Sequence, residues 1–272
     1  MLERPGLSDR DIIMEMVRDV GWPHRADDVS IAMTLGNPWV VRRGPDAGPV
    51  GIAVWWAFGE TAGRLGLVIV SPEEQGRGLG KRLVRRCLDE AGDRALTLLA
   101  TDEGRSLYER HGFRVTESSQ RHQGVLDGAR LASPRTRPAR HGDHDELISL
   151  DATVIGADRS AILRHLFEVG QTTLLMDDDR IAGYVVTRAF GRGSVVGPIV
   201  ASSERDAIEL FEAGVPAGIV RVDRPLWANR FGAHLTSRGI AGHEESEVMV
   251  FSDWPTTTSA FRVFAMASHA WG

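Results

Sequence analysis

Gln75-Gly76-Arg77-Gly78-Leu79-Gly80-Lys81 is the stretch of this sequence best suited to hold an anion. Its three glycines within five residues let the backbone curl and turn successive N–H groups toward one point. Behind it Leu83, Val84, Cys87, Leu88 and Ala91 fall on one face of a helix. The point therefore lies at a helix N-terminus, where unpaired donors and the helix dipole favour negative charge. Phosphate is the expected guest.

Two nucleotide templates fail here. A Walker A loop ending in Gly80-Lys81 requires Gly at 75 and Ser or Thr at 82, whereas the chain has Gln75 and Arg82, so nothing is placed to hold magnesium. A dinucleotide fingerprint starting at Gly76 requires Gly at 81, and one starting at Gly78 requires Gly or Ala at 83. Lys81 and Leu83 refuse both.

The loop instead resembles the pyrophosphate loop of the GNAT superfamily of acyl-CoA-dependent N-acyltransferases. The resemblance extends to Val70-Ser71-Pro72-Glu73 before the loop, to the helix after it, and to Leu107-Tyr108-Glu109-Arg110-His111-Gly112-Phe113, which is similar to the family's LYxxxGF segment. It covers roughly residues 10 to 118. The family implies that strands matching Leu67–Val70 and Ala95–Ala100 run parallel but splay, leaving backbone groups for the amides of the CoA pantetheine arm. It further implies acetyl-CoA as acyl donor, its pyrophosphate held by Gln75, Gly76, Arg77, Gly78, Leu79, Gly80 and Lys81. An N–H near Val68, Ile69 or Val70 would polarise the thioester carbonyl. Thr101 stands where many relatives place an Asn that contacts CoA. Tyr108 matches the family's tyrosine and would protonate the leaving thiolate as a general acid. The acceptor class implied is a small amine or amino-acid-like molecule, attacked on directly in a ternary complex, and no metal is called for.

Two departures bear on activity. Gly66–Val70 and Ala95–Ala100 hold no carboxylate, so the general base is unassigned, which keeps alive a catalytically silent acyl-CoA sensor as the alternative. Asp102 and Glu103 are expected to cap the helix at Arg105. Of Trp55 and Trp56, adjacent on a strand, core packing is the expectation for both.

The elements that must position these residues read as helix, helix, three strands, helix, strand, helix, strand. Asp9 is expected to cap the first helix, and Trp39–Val41, Val50–Phe58 and the stretch ending at Val70 are the strands. The second half repeats the order of strands and helices from Asp158 onward, with helices at Ile162–Phe167, Arg205–Ala213 and from Pro225 through Leu235. The fold class expected is α+β: two GNAT-like folds in tandem, each a mixed, mostly antiparallel sheet flanked by helices with one splayed parallel pair. Boundaries are expected at 1–132 for the CoA-binding domain, 133–142 for a linker and 143–272 for a degenerate copy. Ala201-Ser202-Ser203-Glu204-Arg205-Asp206 replaces the glycine loop there, and Leu235 stands where the first copy has Tyr108. This copy is expected to wall the acceptor pocket or support the first domain without binding acetyl-CoA. Asp158 and Arg159 are expected to cap and to pair at the surface.

Composition sets outer bounds. At 272 residues two ordinary domains fit, and a net charge of −5 gives no electrostatic reason for a nucleic-acid partner. No apolar run is long enough to span a bilayer and the charged N-terminus does not resemble a signal peptide, so no membrane role and a cytoplasmic location are expected. Cys87, the single cysteine, falls in the apolar register of its helix and is expected to be core. His141 and His144 are expected to be solvated and not metal ligands. The oligomeric state stays open, with a homodimer among the options.

Overall fold

A computed structural model describes residues 1–128 and 133–272, and divides them into two compact units, Met1–Arg114 with Met249–Trp254, and Val115–Val248 with Pro255–Gly272. Residue 132, the expected end of the first domain, lies outside the described residues.

In the first unit the chain forms β1 (Leu2–Glu3), α1 (Arg10–Asp19), α2 (Ala26–Leu35), β2 (Asn37–Arg42), β3 (Pro49–Phe58), β4 (Ala62–Val70), α3 (Leu79–Ala91), β5 (Ala95–Ala100) and α4 (Asp102–Glu109). Its sheet runs β1-β2-β3-β4-β5, with β4 and β5 parallel and the others antiparallel. Beyond β5 come Met249–Phe251, the last residues of β12 (Ile240–Phe251), and the Thr97 hydroxyl donates to the Met249 carbonyl at 3.2 Å. Asp9 does stand at the start of α1 but does not cap it. Its carboxylate is taken by the Gly6 N–H at 2.7 Å and Arg42 at 2.6 Å, a charged pairing that outcompetes a neutral cap.

The second unit contains β6 (Arg114–Leu126, from Val115 on), β7 (Thr136–Pro138), α5 (His144–Ile155), α6 (Ser160–Val169), β8 (Gln171–Asp177), β9 (Arg180–Phe190), β10 (Gly193–Ala201), α7 (Glu204–Gly214), β11 (Gly218–Pro225), α8 (Asn229–Ser237), most of β12, and β13 (Arg262–Ala265). Its strand order is β12-β6-β11-β10-β9-β8-β7, and β13 pairs with β10. From α5 to β12 the element order repeats that of α1 to β6. The repeat is more complete than the sequence reading, which lacked α5. The helix expected from Pro225 starts four residues later, because Pro225 still pairs with Ser119 at the end of β11. Arg159 is not at the surface. It is 2% exposed and grips both Asp151 oxygens at 2.8 Å, while the Tyr184 hydroxyl donates to the same carboxylate at 2.5 Å. Burial works to lower the Arg159 pKa; the Asp151 charge more than offsets it, so the guanidinium is held more firmly charged than usual.

The helix behind the glycine loop is fastened at its far end. Glu90, near the C-terminus of α3, accepts the indole N–H of Trp39 at 2.6 Å and of Trp55 at 3.0 Å, and pairs with Arg4. The guanidiniums of Arg4 and Arg86 lie over the Trp39 ring at 4.2 and 4.0 Å from its centroid. Burial works to raise the Glu90 pKa, and the two indole donors and Arg4 overcome it, holding the carboxyl below its ordinary value. A group depressed in this way stabilises the fold above its unfolded pKa and ceases to as pH falls through its folded value. Glu90→Ala is expected to cost about 2–4 kcal/mol at neutral pH by orphaning two indole N–H groups. Urea titrations at descending pH should show the gap between wild type and variant closing below the ordinary carboxylate range. A gap independent of pH would contradict this.

Candidate active site

β4 and β5 pair at only three positions, Ala62 with Ala95, Gly63 with Leu96 and Arg64 with Thr97. Beyond these no pairing joins them among the described residues. The cause lies in β4. Ile52 of β3 faces Ile69, but Val54 faces Gly66, so β4 carries one extra residue, and Leu67 takes up the slack at φ +48°. Such a bulge bends its strand and reverses the alternation of side chains. Leu65 packs in the α3-side core before it, and Val68 and Val70 return to that core after it. Arg64, the last paired residue, is 3% exposed. It stands opposite Trp56, whose indole donates to Ala32 of α2, so Arg64 belongs to the face away from α3.

At the open end of β4 the chain turns through Ser71–Glu74 into the glycine loop. Gly76 and Gly78 have φ of +75° and +74°, a region glycine enters freely. A Cβ at either would meet nothing within 4 Å, so the outer side of the loop is open. Gly78 is the N-cap of α3, where no side chain caps the helix and no acid sits in the first turn. Lys81 and Arg82 occupy that turn instead, the wrong sign for a helix N-terminus unless an anion is seated there. Gln75 folds its amide back onto the Val70 carbonyl at 3.2 Å.

Helix α4 lies beside this loop. Its cap is Thr101, whose Oγ1 accepts the Gly104 N–H at 3.3 Å, while Asp102 and Glu103 fall in the first turn and do not cap. A Cβ on Gly80 would stand 3.3 Å from Leu107, and the His111 ring bridges the Leu107 carbonyl at 2.8 Å and the Lys81 carbonyl at 3.2 Å. The end of α4 is thereby tied to the first turn of α3. Tyr108 is 8% exposed and meets Phe113 edge-on at 5.9 Å. Desolvation, with Cys87 nearby, pushes the phenol well above its ordinary pKa, so its proton is retained. A recess of about 510 Å³ beside α3 and the end of α4 is rimmed by Lys81, Arg110 and the Arg85–Asp89 ion pair, with Leu88 and Phe251 contributing apolar surface.

Of the residues expected from sequence, Val68, Val70, Leu79 and Tyr108 share one apolar cluster, Gln75 is bound to the end of β4, and Thr101 caps α4. Trp55 and Trp56 are both core, 4% and 0% exposed, on opposite faces of β3. Sequence reasoning passed over Arg64, Glu74 and His111. For Arg64 a signal existed, a lone charge inside an apolar strand next to the expected splay.

The second unit has the corresponding divergence and fills it. β10 and β11 pair in parallel only at Ser194–Val220 and Val195–Arg221. β13 then runs antiparallel along β10, Ile199 with Ala265, Val200 with Val263 and Ala201 with Arg262, and the Met266 N–H donates to the Asp223 carbonyl of β11 at 2.8 Å. The chain's own strand takes the backbone groups that stay open in the first unit.

Known proteins carry the same two-part pattern. Two family models, each described as an acetyltransferase (GNAT) domain, match residues 35–115 and 147–265. The uncharacterized N-acetyltransferase YitH of Bacillus subtilis is 26% identical over 215 residues, 76% of each chain. Among solved structures, a Pyrococcus horikoshii protein assigned as an acetyltransferase superposes with TM-score 0.81 at 17% identity, over 100% of this chain and 95% of its own. A tandem GNAT protein from the clavulanic acid biosynthesis pathway superposes with TM-score 0.65 at 14% identity, over 92% and 98%.

Cys87 stands apart from the chemistry. Burial, with Glu90 nearby, pushes its thiol up to about 12, so it is not a nucleophile. The folded protein at pH 8 is expected to leave a thiol-reactive dye untouched and to take up one equivalent in urea. Prompt labelling of the folded protein would show that α3 does not seal against the sheet.

Proposed function

The chain belongs to the GNAT family of acetyltransferases, as two such domains in tandem, and on that premise we propose that the first unit alone binds acetyl-CoA and transfers its acetyl group to an amine. The single observation that carries this reading is the contrast between the two divergences. One is open with a glycine loop at its mouth; the other is occupied by β13 and lacks the loop.

In this reading the pyrophosphate rests on the N–H groups of the glycine loop at the start of α3, and the basic recess beside Lys81 offers charge to the phosphorylated adenosine end. The pantetheine amides complete the unpaired edges of β4 and β5 beyond Arg64 and Thr97. The amine nitrogen attacks the thioester carbon, and an N–H of β4 past the Leu67 bulge steadies the oxyanion. The C–S bond then breaks, the acetyl group stays on nitrogen as an amide, and Tyr108 supplies the proton that turns the thiolate into free CoA. Burial keeps the Tyr108 phenol protonated until that step. No carboxylate stands on either diverging strand, so the proton lost by the amine goes to a group elsewhere. The acceptor class is a small amine or amino-acid-like molecule, and the location is cytoplasmic. Among the described residues no helix is long and apolar enough to cross a membrane.

Release of CoA thiol from acetyl-CoA across a panel of amines tests the reaction. Calorimetric binding of CoA without turnover on any amine would favour the acyl-CoA sensor. Gly78→Glu is expected to abolish CoA binding at a conformational cost of about 1–2 kcal/mol, because it sets a carboxylate at the mouth on left-handed backbone. Retained affinity would remove the loop from the site. Tyr108→Phe is expected to lower turnover about 10²-fold or more with CoA affinity unchanged; undiminished turnover would reduce Tyr108 to packing.

A further inference from the structure

Glu74 is a buried acid that the chemistry above does not use. It lies in the turn between β4 and the glycine loop, 3% exposed, while its neighbour Glu73 has a side chain 88% exposed. A carboxylate is buried at a cost unless it is paired. Here each oxygen holds one arginine. Oε1 accepts Nη2 of Arg43, from the turn between β2 and β3, and Oε2 accepts Nη1 of Arg77 at 3.1 Å. The backbone beneath is fixed as well, with the Glu74 N–H on the Ser71 carbonyl at 2.8 Å and the Gln75 N–H on that of Pro72 at 3.3 Å.

Arg77 is the one residue between the two left-handed glycines, so its side chain is the one side chain by which residues 76–78 can be held. Its side chain remains 64% exposed, leaving most of the guanidinium at the surface. We propose that Glu74 is a positioning residue of the acyl-CoA site, holding Arg77 so that the loop's backbone donors and its cation are in place before the anion arrives. The proposal rests on the reading of the loop as a pyrophosphate site. It assigns to Glu74 an effect on donor binding and none on the chemical step. Preorganisation of this kind acts on affinity, because the ordering of a glycine-flanked loop is otherwise charged to binding.

The test is a double-mutant cycle in the full chain, using Glu74→Gln, Arg77→Ala and the pair, with Arg43→Ala beside them. The readouts are calorimetric Kd for acetyl-CoA, KM and kcat with the best amine, and thermal midpoint. Glu74→Gln is expected to raise Kd and KM about five- to tenfold with kcat within about twofold. In the Arg77→Ala background the same change should add less than about twofold, because the group it acts through is gone. Arg43→Ala, which breaks the other half of the pairing, should leave Kd within about twofold. Equal factors in both backgrounds, or the same loss of affinity from Arg43→Ala as from Glu74→Gln, would overturn the proposal and leave Glu74 as an anchor of the turn. Should Glu74→Gln unfold, Glu74→Asp in the same cycle reads the same coupling. If the wild type itself fails to bind acetyl-CoA, the pyrophosphate reading falls and the proposal with it. If the wild type binds and the cycle is additive, the proposal alone falls.

Discussion

Two parallel strands that part must find other partners for the N–H and C=O groups they stop giving each other. Each unit of this protein contains such a parting, and the two resolve it differently. In the second, β13 lies along β10 and the chain satisfies itself. In the first, the extra residue at Leu67 turns β4 away after Arg64, and among the described residues no pairing joins β4 and β5 beyond that point. The rest of the first unit holds this opening in shape. Glu90 and its two tryptophans fix one end of α3, and the His111 bridge and the glycine loop locate the other.

Charge is arranged around the opening in a way that local helix electrostatics alone would disfavour. Lys81 and Arg82 sit in the first turn of α3, with Arg77 just ahead of it and Arg85 and Arg110 at the edge of the neighbouring recess. Arg77 and Arg85 are answered by Glu74 and Asp89, while Lys81 and Arg82 carry the sign opposite to the one a helix N-terminus favours. In the second unit the equivalent helix start is conventional: Ser203 caps α7 and Glu204 and Asp206 stand in its first turn. One helix N-terminus has a side-chain cap and acids in its first turn; the other has neither.

Much of this was legible in the chain. The glycine pattern, the periodicity of α3 and the Leu107–Phe113 segment are local signals, and the structure places them together. What stayed hidden depends on partners distant in sequence. The last strand of the first copy is legible where it begins, at Phe113–Val115, but its run on to Leu126 through a polar stretch is set by pairing with β11 from Ser119 to Leu126. α5 buries Asp151 among its apolar positions, which blunts its amphipathic pattern, and that same acid is what draws Arg159 inside. Asp9 reads as a cap until Arg42, thirty-three residues on, claims it. Glu74 could be recognised only once Arg43 and Arg77 were seen on either side of it.

The sheet that bears the opening is completed by Met249–Phe251, placed in the chain after nearly all of the second unit. On the ribosome the N-terminal part of a multidomain chain ordinarily finishes folding first. Here it cannot: β5 emerges with one edge bare and keeps it bare until residues 249–254 follow, a wait on the order of ten seconds at ordinary elongation rates. During that interval the nascent chain presents an uncovered strand, and the half that is begun first stays unfinished until nearly all of the other has been made.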